Sequence, residues 1–115
     1  MMQAPRLLHD RSATRAARSF IRLGDIVSAN EAYHLALQGA FGDVRIWMEA
    51  AHFSIAIDDR ISAVSLLDKA ALYANNRLQA IQVEQLRLDN FKALSAEKEI
   101  LLTRQRLQTL NGSAL

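Results

Sequence analysis

VRIWMEAAHFSIAIDDRISAVSLLDKAALYANNR, residues 44–77, repeats DRSATRAARSFIRLGDIVSANEAYHLALQGAFGD, residues 10–43, in one frame without a gap. At a shift of 34 the segments share Arg11/Arg45, Ala16/Ala50, Ala17/Ala51, Ile21/Ile55, Asp25/Asp59, Ser28/Ser62, Ala29/Ala63, Ala36/Ala70 and Ala40/Ala74. Leu23/Ile57, Val27/Ile61 and Tyr33/Leu67 keep their apolar character across the same shift. A fixed period of this length marks a repeat architecture, in which each unit covers a core face of its neighbour.

Each copy divides into two helices. Ala13, Ala16, Ala17, Phe20 and Ile21 fall on one face of a helix, and Gly24-Asp25 interrupts the pattern. Val27, Ala29, Tyr33, Ala36 and Leu37 form a second face, which Gly39 and Gly42 end through their access to the left-handed conformation. In the second copy Trp47, Ala50, Ala51, Ser54 and Ile55 make the first helix, and Asp58-Asp59 the turn. Ile61, Ala63, Leu66, Leu67 and Ala70 make the second helix, ending at Asn75-Asn76. Asp25 and Asp59 can accept a backbone N–H at the start of the following helix. Ser28 and Glu31 have the spacing of a capping box, an alternative start.

The second copy resembles a tetratricopeptide repeat (TPR). It carries that family's early aromatic as Trp47 and its small crossing residues as Ala51, Ala63 and Ala70. The first copy matches through Ala17, Gly24, Ala29, Tyr33 and Ala36. The departures are Phe20 in the first copy and Ser54 in the second for the usual tyrosine, alanine for the crossing glycine in both, and Asn75 at the terminal proline. The resemblance covers residues 10–77. It implies an all-α fold of antiparallel helical hairpins, two TPR-like repeats plus a C-terminal capping helix or helix pair, wound as a right-handed superhelix.

The resulting division is a single domain over 1–115, with a flexible N-terminus at 1–9, repeats at 10–43 and 44–77, a helical cap at 78–110 and a tail at 111–115. Residues 77–110 contain no Gly or Pro; as one helix they would span roughly 50 Å. The repeat frame favours instead two helices, about 77–92 and 96–110, with a turn near Lys92–Ser95 and Ser95 as cap. Glu97 and Glu99 early and Arg104 and Arg106 late suit the helix dipole. Asn111-Gly112 ends the last helix. The segment either caps the repeats or leaves a face for a second copy, with Leu86, Phe91, Leu94, Leu101 and Leu107 as the interface.

The 115 residues are half apolar and 23% charged, the balance of a chain that folds. Absence of cysteine excludes disulfides and thiolate chemistry and agrees with a cytoplasmic setting. No apolar run reaches the ~20 residues of a membrane span. The net charge of +2 is uneven. Arg6, Arg11, Arg15, Arg18 and Arg22 face Asp10 alone in residues 1–22, a start that also resembles an organelle presequence. Residues 23–76 are acidic.

His9, His34 and His52 lack metal-ligand spacing, Asp58-Asp59 sits at a turn, and no phosphate loop or nucleophile motif is present. The expectation is therefore no enzyme, no cofactor and no metal. In the resembled family the first helices of successive hairpins line a groove. The matching residues are Arg11, Thr14, Arg18, Ile21 and Arg22, then Arg45, Met48, His52 and Ile55. That groove would be basic with apolar spots, suited to a helical or extended protein segment of acidic and apolar character. The expected function is a protein-binding adaptor or small chaperone. Bacterial secretion chaperones are small TPR-like proteins of about this length, an analogy of fold and size alone. Alternatives are a self-associating structural module joined through the C-terminal helices, or a basic nucleic-acid-binding regulator. Low net charge and the acidic middle argue against nucleic acid. Trp47 and Phe41 are expected to pack as core or loop anchors.

Overall fold

The computed structural model describes the backbone of residues 6–40 and 42–112, and the side chains within that range from Ser12 onward. Its elements are α1 (Arg6–Arg22), α2 (Ile26–Gln38), α3 (Val44–Ala56), α4 (Arg60–Tyr73), α5 (Arg77–Ala93) and α6 (Glu97–Leu110). Helix α1 packs along α2, α3 along α4, and α5 along α6, giving three hairpins. The hairpins stack through α2 on α3, α4 on α5, and α3 on α5. The stack measures 55 × 29 × 18 Å with a radius of gyration of 15.4 Å, wider than the roughly 13 Å of a globular chain near this size. The C-terminal third is thus a hairpin and not one long helix.

One turn recurs in all three hairpins. In the first, Gly24 N–H donates to the Ile21 carbonyl (3.0 Å) and Asp25 N–H to the Phe20 carbonyl (2.9 Å). Asp58 and Asp59 repeat the pair onto Ile55 and Ser54, and Ser95 and Ala96 repeat it onto Lys92 and Phe91. This is the Schellman arrangement, which requires a left-handed residue after the helix. Gly24 (φ 76), Asp58 (φ 63) and Ser95 (φ 56) occupy that place. The next residue starts the following helix. Asp25 Oδ1 accepts from Ser28 N–H (3.1 Å) and Asp59 Oδ1 from Ser62 N–H (3.2 Å). Ala96 offers no side-chain cap.

Several local expectations are corrected. Ser95 holds the left-handed position and does not cap α6. Asp25, not Ser28, caps α2. Gly39 ends α2 without a left-handed φ (−106), while Gly42 has one (φ 76). Asn76 does not end α4; its side chain accepts from Gln79 N–H (2.8 Å) and begins α5. Helix α1 begins at Arg6, inside the stretch expected to be a flexible N-terminus. Gly112 (φ 73) closes α6 as expected, and Arg77 Nε donates to the Leu110 carbonyl, tying the start of α5 to the end of α6.

The repeated alanines are where the helices touch. Ala17 and Ala51, Ala29 and Ala63, and Ala36 and Ala70 are all fully buried (0% exposed), so no larger side chain fits without displacement. Ala17 and Ala29 belong to one apolar cluster and Ala70 to a second. Ala17, Ala29, Tyr33, Ala50 and Phe53 join α1, α2 and α3, with the Tyr33 and Phe53 rings 5.1 Å apart. Val44, Ala70 and Val83 join α3, α4 and α5, flanked by Trp47 stacked on Tyr73 at 6.1 Å. Trp47 thus packs at the core, as expected, on Tyr73 of its own hairpin; Phe41 lies outside the described residues.

Neither cluster includes α6. The third hairpin is joined by a polar network centred on the buried Glu84. Glu84 on α5 accepts from Arg87 Nη1 (3.1 Å) and from Arg106 Nε on α6 (2.8 Å). Arg87 Nη2 continues to Asp68 on α4 (2.8 Å), and Arg106 Nη2 to Thr103 Oγ1 (3.0 Å). Asn90, fully buried, donates to the Arg60 carbonyl (3.0 Å) across α4 and α5.

Candidate functional site

The first helices of the second and third hairpins enclose a cleft of ≈ 520 Å³. Val44, Arg45, Met48, Glu49 and His52 come from one face of α3; Asn76, Leu78, Gln79 and Gln82 come from the start of α5. The floor is apolar. Val44 is buried, Met48 half-buried, and Leu78 is 66% exposed along the wall. Toward the helix N-termini the cleft opens into a polar recess of ≈ 400 Å³ lined by Gly42, Asp43, Arg45, Asn75 and Gln79.

The charges of this cleft are unequal in their commitments. Glu49 accepts from Arg18 Nε (3.0 Å) and Nη2 (2.6 Å) on α1, and from the Tyr33 hydroxyl (2.8 Å) on α2. Burial pushes the Glu49 carboxyl up, but the bonds from Arg18 and Tyr33 outweigh it and hold the group below the ordinary carboxylate range. Arg45 is free by comparison. Its side chain is 85% exposed, and its ion pair with Asp43 is long, at 3.5 Å. His52 is exposed on the rim. The cleft therefore offers the Arg45 cation outward while the Glu49 carboxylate is held by α1 and α2.

The structure brings together Arg45, Met48 and His52 of the groove read from sequence, and leaves the others apart. Arg18 reaches the cleft indirectly, through Glu49. Thr14 is buried, so it does not face a groove: the alanine-packed crossing draws that turn of α1 inward. Ile21 is partly exposed on α1, Arg22 bonds Ser19 (3.2 Å), and Ile55 is half-buried; none of these lines the cleft. The Arg11 side chain and His9 lie outside the described side chains. The five residues read as a C-terminal interface differ in exposure. Phe91 is buried, Leu86, Leu94 and Leu107 are half-buried, and Leu101 alone of the five is exposed (59%), because α6 folds back on α5.

The α5 wall was not anticipated, although a signal for it exists. The shift of 34 that relates the first two copies carries Val44, Arg45 and Met48 onto Leu78, Gln79 and Gln82. The cleft is thus built from equivalent positions of adjacent repeats. Among the described residues no group of three or more His, Asp or Glu stands together as a metal site, and no helix is long and apolar enough to cross a membrane. Compared with protein-family models, curated proteins and solved structures, the chain matches none.

Proposed function

We propose that the chain is a non-enzymatic protein-interaction module of tetratricopeptide-like build, an adaptor or small chaperone that holds a helical or extended segment of a partner in the cleft between α3 and α5. The observation that carries this reading is the pairing of an apolar floor, Val44, Met48 and Leu78, with an outward-facing Arg45 beside a carboxylate already held by Arg18 and Tyr33. An apolar cleft with few, placed polar groups is the usual form of a recognition site. The preferred guest has an apolar stripe flanked by carboxylates, because an exposed guanidinium pairs with them through two N–H groups at once. The cysteine-free sequence agrees with a reducing, cytoplasmic setting.

The test is fluorescence anisotropy with a labelled synthetic amphipathic peptide, leucine on one face and glutamate along its borders. Saturable binding is expected, weakened by about tenfold (~1.4 kcal/mol) in Arg45→Glu and in Met48→Glu at unchanged melting temperature. Binding that is absent, or equal in Arg45→Glu, rejects the assignment.

A further inference from the structure

Large aliphatic side chains stand out at the turn edge of the stack, at equivalent places of two hairpins. Leu23 is 79% exposed, Val27 71% and Ile61, the repeat equivalent of Val27, 70%. Capping does not account for them, since the turns are closed by backbone hydrogen bonds and by Asp25 and Asp59. Carboxylates punctuate this ridge. Asp25 and Asp59 are fully exposed, and their bonds to Ser28 and Ser62 keep them ionised, while Asp58 adds a third exposed charge beside them. The arginines nearby are directed elsewhere: Arg60 donates to Asn90, and Arg22 to Ser19. In the third hairpin the equivalent of Val27 and Ile61 is Lys98, so the apolar, acidic edge ends there.

One molecule therefore carries a concave surface that is apolar through Met48 and Leu78 and cationic through Arg45, and a projecting edge that is apolar and anionic. We infer that the cleft of one copy takes the turn edge of a second copy, Ile61 seated on Met48 and Leu78 with Asp58 and Asp59 toward Arg45. This rests on the reading of the α3–α5 cleft as a protein-binding site and names its occupant. The two surfaces are different patches, so the contact is head-to-tail and leaves a cleft open at one end of a growing chain and a ridge at the other, unless it closes as a ring. An edge of a few side chains lies at the small end of specific interfaces, so the association is weak and concentration-dependent. Complementary charge makes it sensitive to salt.

The experiment is sedimentation velocity on the full chain across a concentration series at low and high salt. Wild type is expected to gain average mass with concentration and to lose it in high salt. Arg45→Glu disables the cleft and Val27→Lys with Ile61→Lys disables the ridge; circular dichroism melts check that both fold. Each variant alone is expected to stay monomeric, and their equimolar mixture to form a discrete dimer from the one intact cleft and the one intact ridge. A wild type that is monomeric at every concentration overturns the inference. So does association that persists in both variants, or a mixture that yields no dimer. The ridge variant keeps its cleft, so titrating it with the leucine–glutamate peptide reads that site separately. Peptide binding with a monomeric wild type rejects self-association and leaves the cleft assignment standing; no peptide binding by either protein rejects both.

Discussion

The first two hairpins and the third share a turn and a helical pairing but hold their helices together by different physics. Between α1 and α2, and between α3 and α4, alanines with no exposure bring the backbones close, and the contact is dispersion and burial of apolar surface. Between α5 and α6, Glu84, Arg87, Arg106 and Thr103 occupy the corresponding interior. Close packing of small residues tolerates little change in volume. A buried carboxylate tolerates little change in the charges around it, because Glu84, taken out of water, depends on Arg87 and Arg106 for compensation. The same hairpin is thus brittle in two different ways.

That contrast is easiest to break at Glu84. Its carboxylate, 6% exposed, joins Arg87 and Arg106. Glu84→Ala leaves Arg87 largely buried without that partner and is expected to lower stability by about 3–5 kcal/mol in urea denaturation. Converting Glu84, Arg87 and Arg106 together to Leu, Met and Leu removes the desolvation cost with the pairing, and is expected to be neutral or stabilising. If the triple variant is as damaged as the single one, the third hairpin depends on the charges for more than their mutual compensation.

The matching experiment on the other side adds volume. Ala63→Leu inserts a branched side chain where the wild-type residue has no exposure, and is expected to cost about 1–3 kcal/mol by thermal melting. Leu101→Ser, at an exposed place on α6, is expected to change stability by less than about 0.5 kcal/mol. An Ala63→Leu variant as stable as wild type would mean the first two hairpins are packed more loosely than their burial indicates.

Which of these two interiors could be read from the sequence follows from how local each is. The alanine crossings were legible because a small residue is demanded at one fixed place in every copy, and identities at a shift of 34 expose it. The first two turns were legible because Gly24-Asp25 and Asp58-Asp59 interrupt the helical pattern and Asp25 and Asp59 supply the cap. The third turn was placed where it lies, near Lys92–Ser95, but the role of Ser95 within it was misread. Gly24 and Asp58 are 34 apart, but Asp58 and Ser95 are 37 apart, since α5 has 17 residues where α3 has 13. Serine's preference for caps then pointed to the wrong role for Ser95. The α5 wall of the cleft was hidden because the third copy has Gln85, Glu97 and Arg104 where Ala51, Ala63 and Ala70 stand in the second. Glu84 and Arg106 meet only once the hairpin closes, so no local pattern announces them.

Glu49 joins the alanine-packed region to the cleft, and its pH behaviour sharpens the comparison. Its folded pKa lies below the ordinary value, so its contribution is present above the unfolded pKa and is lost as pH falls through the folded one. Wild type is expected to exceed Glu49→Gln by about 1 kcal/mol near neutral pH, the figure reduced for the exposure of Arg18. The two melting temperatures should converge as the pH is lowered through the carboxylate range. A gap unchanged down to pH 3 would show that the Arg18–Glu49–Tyr33 contact does not contribute through charge.

The smallest effect lies in the turn that all three hairpins share. The side chains of Asp25 and Asp59 each accept a backbone N–H at the next helix start, and the Ala96 side chain, at the same place, has no acceptor. Ala96→Asp should supply the missing acceptor and place a negative charge at the start of α6, for a gain of about 0.5–1 kcal/mol. The gain should appear as slower amide exchange in α6, with α1 to α4 unchanged, because the new bond closes the end of one helix only. The adjacent Glu97 and Glu99 already favour that helix end, and their repulsion works against a third carboxylate. Ala96→Asn gives the same acceptor without the charge and separates the two contributions. If asparagine slows exchange as much as aspartate does, the hydrogen bond carries the effect. If neither does, the third turn is held by its backbone bonds alone, and the difference between Asp59 and Ala96 carries no energetic weight in the fold.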